Sequence, residues 1–207
     1  MNTALSGVMP KLLKARQYHS RIFAVVMVAV LLVSEPRLGW SLSRNGLFFL
    51  GYALVILGAF GRAYCSAFIG GRKNDVVVRS GPFSVVRNPL YVFSFIALAG
   101  VGMQSGMLSI MVILLAAFCM YYPKVVAKEE AFLTHKFGEQ YVQYTREVPR
   151  WIPNFELWNE PEHAEIMPKF VRKTMMDAAI FFLAMPCFVL ISILHRNGIL
   201  PVWLVLP

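Results

Sequence analysis

The sequence predicts an all-α integral membrane protein, a bundle of about five transmembrane helices with its N-terminus in the cytoplasm. Three observations lead there. The chain is 57% hydrophobic and only 15% charged, where a soluble domain carries about a quarter charged residues. Its apolar residues are gathered into blocks of near-membrane length rather than spread at an amphipathic period. Its basic residues also crowd onto one set of connecting segments, as the positive-inside rule requires. With 207 residues the chain makes one membrane domain. We divide it into N-terminal spans (1–69), a core (70–153) and a surface segment with the last span (154–207).

Residues 1–21 carry Lys11, Lys14, Arg16 and Arg21 and are expected at the inner surface. Ile22–Val33 is the first apolar run, and it must extend back towards Tyr18 to reach the roughly 20 residues of a span. No small-residue cleavage site precedes Glu35, so this run reads as a retained span and not a signal peptide. Glu35-Pro36-Arg37 ends it. Leu47–Ile69 is long enough to cross, and Gly51, Gly58, Ala59, Gly61 and Ala63 permit a neighbouring helix to approach closely. Arg62 interrupts this run near its inner end and has two readings: it snorkels to the interface, or it faces a polar cavity.

Gly70-Gly71-Arg72-Lys73-Asn74-Asp75 is a turn-rich inner loop. The stretch Ser80-Gly-Pro-Phe-Ser-Val-Val-Arg-Asn-Pro-Leu-Tyr91 follows, a turn with two prolines and an arginine. Leu90–Met103 and Met107–Tyr122 are the third and fourth runs, and only Gln104-Ser105-Gly106 separates them, so they are antiparallel neighbours. Lys124–Val148 is polar but keeps Phe132, Leu133, Phe137, Tyr141 and Tyr144. It is expected to leave the membrane as a helix along the surface. Pro149, Pro153, Pro161 and Pro168 break the next stretch, and Met175–Leu194 is the fifth span. Ile199–Pro207 is too short to cross and is expected at the outer interface or against the bundle.

Five spans with the N-terminus inside put seventeen lysines and arginines on inner segments and only Arg37, Arg44 and Arg196 outside. That asymmetry fixes the expected orientation. It also accounts for the net charge of +9 without a nucleic-acid partner. Cys65, Cys119 and Cys187 are far apart within apolar blocks and read as small core residues, with no metal-ligand or disulfide spacing. His135 and His163 read as surface histidines, and Gly100-Val101-Gly102 as a helix-packing element. Met103, Met107, Met111 and Met120 read as core filler, and Glu156, Glu160, Glu162 and Glu165 as a solvated face.

The hairpin made by the third and fourth runs returns the Ser80–Tyr91 turn and Lys128-Glu129-Glu130 to the same membrane face. Pro82 and Pro89 stiffen the turn and bias Gly81 and Asn88 towards extended backbone. A stiff loop at a helix start presents N–H groups, and Arg87 adds a fork suited to a carboxylate or phosphate. Glu129 and Glu130 suit sugar hydroxyls or an ammonium group. The structural alternative is that Arg87 anchors lipid headgroups while Glu129 pairs with Lys128 or Lys124.

The pattern extends further. It runs Gly-Pro-Phe, three residues, Arg-Asn-Pro-Leu-Tyr, a hairpin, then Glu-Glu-(two)-Leu-(three)-Phe-Gly-(two)-Tyr-(two)-Tyr and Val-Pro-Arg-(two)-Pro. Over roughly Gly70–Pro153 this resembles the core of the isoprenylcysteine carboxyl methyltransferase and phospholipid methyltransferase superfamily. The resemblance implies a membrane enzyme that uses S-adenosylmethionine without a Rossmann domain, in a cytoplasmic pocket after spans 2 and 4. It implies cofactor contacts at Asp75, Val76, Val77, Val78, Phe83, Asn88, Pro89, Leu90, Tyr91, Glu129 and Glu130. It also gives Arg87, Glu129 and Tyr91 catalytic or supporting roles.

Leu133, Phe137, Gly138, Tyr141 and Tyr144 match the downstream helix, expected to pack and form a lid. The isoprenylcysteine enzymes usually have histidine where this chain has Asn88, and a substrate arginine where it has Val125, with only Lys124 and Lys128 nearby. Both departures leave the acceptor open between an isoprenylcysteine carboxylate and a phospholipid-type headgroup. The expected reaction is an in-line methyl transfer to a lipophilic acceptor entering from the bilayer, with membrane lipids as neighbours. An amine acceptor would need help from Tyr91, Tyr141 or a glutamate. Two alternatives stand beside it: an NADPH-dependent reductase of sterol-reductase type, and a non-catalytic protein that keeps the fold.

Overall fold

The computed structural model describes residues 22, 25–37 and 42–207, of which 42–44 are described as backbone only. The basic N-terminal segment and the start of the first run lie outside the described residues. Residues 25–32 are helical (α1) and lead into the strand Ser34–Pro36 (β1). The helices that follow are α2 (Leu42–Ile69), the short α3 (Pro82–Val85), α4 (Pro89–Gln104), α5 (Leu108–Phe137) and α6 (Glu139–Glu147). A single 3-10 turn at Phe155–Leu157, α7 (Pro168–Arg196) and the strand Leu204–Leu206 (β2) complete the chain.

Three of the described helices are long and apolar enough to cross a membrane: Asn45–Ile69 within α2, α5 and α7. The fourth apolar helix, α4, has 16 residues. It rises about 24 Å, short of the roughly 30 Å of a hydrocarbon core.

The small residues of α2 do what their spacing predicts. A Cβ on Gly58 would stand 2.6 Å from that of Ala97, and one on Gly51 2.6 Å from the Gly100 carbonyl oxygen. Only glycine lets α2 and α4 approach so closely. Gly100 and Gly102 are accordingly packing positions, against α2 and against Met111 of α5. Met107 is core as expected, whereas Met120, Cys119 and Cys187 are exposed on the bundle's surface.

Two expectations need correction. The architecture is not wholly helical, because β1 and β2 pair as a parallel ladder with Glu35 opposite Val205. Ile199–Pro207 therefore packs on the bundle, where Ser109 of α5 donates through its amide and hydroxyl to the Pro207 carbonyl. Leu206 joins Met27, Met107, Ile110 and Leu114 in the apolar cluster at that end. The polar stretch from Lys124 also does not begin a new surface helix. α5 continues through Pro123 as one helix to Phe137, because a proline removes one backbone bond without ending a helix that is packed along its length. The surface helix is α6, which starts only after Gly138 turns the chain at φ 57°.

Candidate functional site

The hairpin α4–α5 has unequal arms, 16 residues against 30. Its longer arm overshoots the start of α4 by about 21 Å. That overhang carries Glu129 and Glu130 above the Ser80–Tyr91 turn and closes one wall of a cavity of about 360 Å³. The size falls within the range of small-molecule and cofactor pockets.

The turn is held from beneath. Ser80–Phe83 is a tight turn whose second residue, Gly81, has φ 57° and ψ −134°. Here the proline rule takes a different outcome from the one expected. The left-handed side of the map is open to glycine, and a Cβ there would lie 2.6 Å from the Phe68 ring. The chain after α6 then runs along the turn as a strap. Arg87 N–H donates to Pro149 O (2.9 Å), Asn154 N–H to Val85 O (2.9 Å) and Gly81 N–H to Asn159 O (2.7 Å). Tyr144 of α6 donates its hydroxyl to Phe83 O at 2.7 Å. The amides of Tyr91 and Val92 turn back to Asn88 O, so those N–H groups hold the helix start and are not offered to a ligand.

The two glutamates divide their work. Glu130 is buried and fully engaged: Arg87 lies 3.2 Å away, Arg150 pairs with its other oxygen, and Asn88 donates at 3.3 Å. The motif arginine and asparagine thus clamp the turn to α5. Glu129 faces the cavity, accepting from the Tyr91 hydroxyl at 3.1 Å with Lys73 at 3.6 Å. Neither Lys124 nor Lys128 pairs with it; both are exposed and outside the cavity.

Of the residues singled out by resemblance, Val76, Val77, Val78, Phe83, Arg87, Asn88, Pro89, Leu90, Tyr91, Glu129 and Glu130 all line this one cavity. Asp75 does not: its side chain is exposed at the loop's edge. Leu133, Phe137, Tyr141 and Tyr144 line it too. Burial pushes the Tyr141 phenol up to about 12, with the negative Glu130 adding to the effect. Tyr144 is raised further, again chiefly by burial. Both phenols are thereby held further towards the protonated form.

Sequence reasoning missed several residues. Arg150 was visible as the arginine of Val-Pro-Arg, but nothing in the sequence named its partner. Lys73, Ser66, Ser94, Tyr122 and Thr174 line the cavity and carry no motif. Arg62 proves to face the cavity and to donate to Ser94.

Apolar helices of spanning length, gathered around a charged pocket at one end, are the features of a helical membrane protein with a candidate ligand site. A model of the phospholipid methyltransferase family matches residues 35–140, and the chain belongs to that family. It is 30% identical over 87% of its length to the cobalt-zinc-cadmium resistance protein CzcN of Cupriavidus metallidurans, covering 83% of that protein. It is 28% identical over 90% of its length to the nickel-cobalt-cadmium resistance protein NccN of Alcaligenes xylosoxydans xylosoxydans, covering 87% of that protein. A stretch of 81 residues, 39% of this chain and 34% of the relative, is 32% identical to the protein-S-isoprenylcysteine O-methyltransferase of Schizosaccharomyces pombe. No solved structure gives a significant match.

Proposed function

We propose that the protein is a membrane methyltransferase that binds S-adenosylmethionine at the turn end of its bundle. Its acceptor is lipophilic, of isoprenylcysteine-carboxylate or phospholipid-headgroup type, and arrives from the bilayer on the cytoplasmic side. The observation that carries this reading is the single cavity shared by the Ser80–Tyr91 turn and the Glu129 overhang. Family membership supports the reaction class.

The donor set fits the cofactor. Glu129 offers a carboxylate to ribose hydroxyls or to an ammonium group. The rings of Tyr91 and Tyr122, 5.3 Å apart, offer electron-rich faces to a cation. Val76, Val77, Val78 and Leu133 supply apolar wall. When bound, the cofactor supplies an electrophilic methyl group on a sulfonium. The chain's own work is then to hold, align and exclude water. Arg87 acts through Glu130 and is a positioning residue.

Calorimetric titration of S-adenosylmethionine, S-adenosylhomocysteine and NADPH into detergent-purified protein tests the proposal. Adenosyl ligands are expected to bind, and Glu129→Ala to weaken them at least about tenfold, the worth of one hydrogen bond to a charged group. Binding of NADPH alone would move the protein to the reductases. Binding of none would favour a non-catalytic protein that keeps the fold. Among the described residues no group of three or more His, Cys, Asp or Glu side chains is placed to hold an ion.

A further inference from the structure

The cavity has a second, deeper half that the cofactor reading does not use. Arg62 stands seven residues before the end of α2, about 10 Å below the loop that follows it. Ser94 of α4 accepts from its Nη1, and Ser66 and Thr174 share a hydrogen bond of 2.6 Å beside them, joining α2 to α7. All four side chains line the cavity.

The charge balance of the two halves differs. In the upper half each carboxylate has a cation beside it, Glu129 with Lys73 and Glu130 with Arg87. The lower half has a guanidinium with no ion pair among the described residues, and its Nε is buried without a partner. Asp177 of α7 interacts with Arg62 electrostatically but is exposed and closes no ion pair. A cation is costly at this depth in an apolar helix, and one that faces a cavity rather than the interface marks a ligand path. Snorkelling would have sent it the other way, to the water beyond Ile69.

We infer that Arg62, Ser94 and Thr174 form a subsite for the anionic group, carboxylate or phosphate, of a membrane-borne amphiphile, and that this subsite selects the acceptor. The inference deepens the methyl-transfer reading and rests on it for the word acceptor. A planar guanidinium offers two parallel N–H bonds to a carboxylate or phosphate. Ser94, whose own proton goes to Leu90 O at 2.6 Å, holds the guanidinium in place, one proton of the Ser66–Thr174 pair is left to donate, and the chain of the amphiphile is left in the apolar part of the bundle.

The test measures binding rather than turnover, so it stands even if no methyl transfer is found. Two matched pairs are titrated into the full-length protein in detergent: N-acetyl-S-farnesylcysteine against its uncharged carboxamide, and dioleoyl phosphatidic acid against dioleoylglycerol. In at least one pair the anionic member is expected to bind at least about tenfold more tightly, and the pair that responds tells carboxylate from phosphate. Arg62→Gln is expected to erase that preference, Arg62→Lys to restore part of it, and Ser94→Ala to reduce it severalfold. S-adenosylmethionine affinity is expected to stay unchanged in all three variants. An equal preference in wild type and Arg62→Gln would overturn the inference. So would a loss of S-adenosylmethionine affinity in Arg62→Gln, which would give Arg62 to the cofactor's own carboxylate. Failure of wild type to bind S-adenosylmethionine, with the anionic preference intact, would remove the cofactor reading and leave the subsite standing.

Discussion

Adjacent glutamates on one helix differ here in their partners and in exposure, 18% for the Glu129 side chain against 9% for Glu130. Glu130 is buried with Arg87, Arg150 and Asn88 around it, so Glu130→Gln leaves a nearly buried Arg87 without its counter-charge. Breaking a buried pair from one side costs roughly 3–5 kcal/mol. Glu129→Gln breaks only a pair with the half-exposed Lys73, where the cost is about 0–1 kcal/mol. Thermal unfolding in detergent is expected to fall steeply for the first variant and hardly for the second. Equal shifts would refute the division of labour. A phenol held above its usual 10 keeps its proton longer folded than unfolded, so the stability from Tyr141 is whole below pH 10. It declines as pH rises from 10 towards about 12. The difference in absorbance at 295 nm between wild type and Tyr141→Phe should place this phenol's ionisation at about pH 12 in the folded protein and about 10 in denaturant. At this scale the sequence was informative where residue types were rare and motif-bound, as with Arg87, Tyr91 and Glu129. It was silent on Ser94 and Thr174, whose hydroxyls matter only through neighbours that the chain brings from 32 and 108 residues away.

Among the elements, the α2–α4 contact is the tightest seam. Gly58→Val would push a branched side chain into Ala97 and the Phe93 carbonyl, 2.6 and 2.7 Å from where its Cβ must lie. Overpacking of this kind costs about 1–3 kcal/mol. Since Phe93 and Leu90 also carry the turn end of α4, cofactor affinity should fall along with the melting temperature. Gly46→Val, where nothing lies within 4 Å, is the control that should leave both alone. Element order and hairpin geometry were legible because apolar length and a three-residue connection leave one arrangement. The ladder of β1 with β2 was not legible. It joins three-residue segments about 170 positions apart, and neither alternates in a way that marks a strand. The continuity of α5 was hidden for a local reason: Pro123 and Lys124 together look like a helix end, and only packing carries the helix past them.

For the whole molecule, the two ends of the bundle are separate devices. One end holds the cavity; the other is tied by β1, β2, His195 and the cluster around Met27. Deleting residues 203–207 should expose α1 to limited proteolysis while S-adenosylmethionine affinity stays within about twofold, because well-separated sites act independently. A larger loss of affinity would mean that the ends are mechanically coupled.

The brevity of α4 has a further consequence. Between partners of 28 and 30 residues, a helix of 16 begins at the level of the cavity, which its first residues line. Under the proposed function, a substrate that reaches the cavity past this short helix travels in two dimensions. Its supply is then counted in molecules per lipid, not per litre. Diluting a fixed amount of acceptor with inert phospholipid, at constant bulk concentration, should slow turnover in proportion to its falling mole fraction.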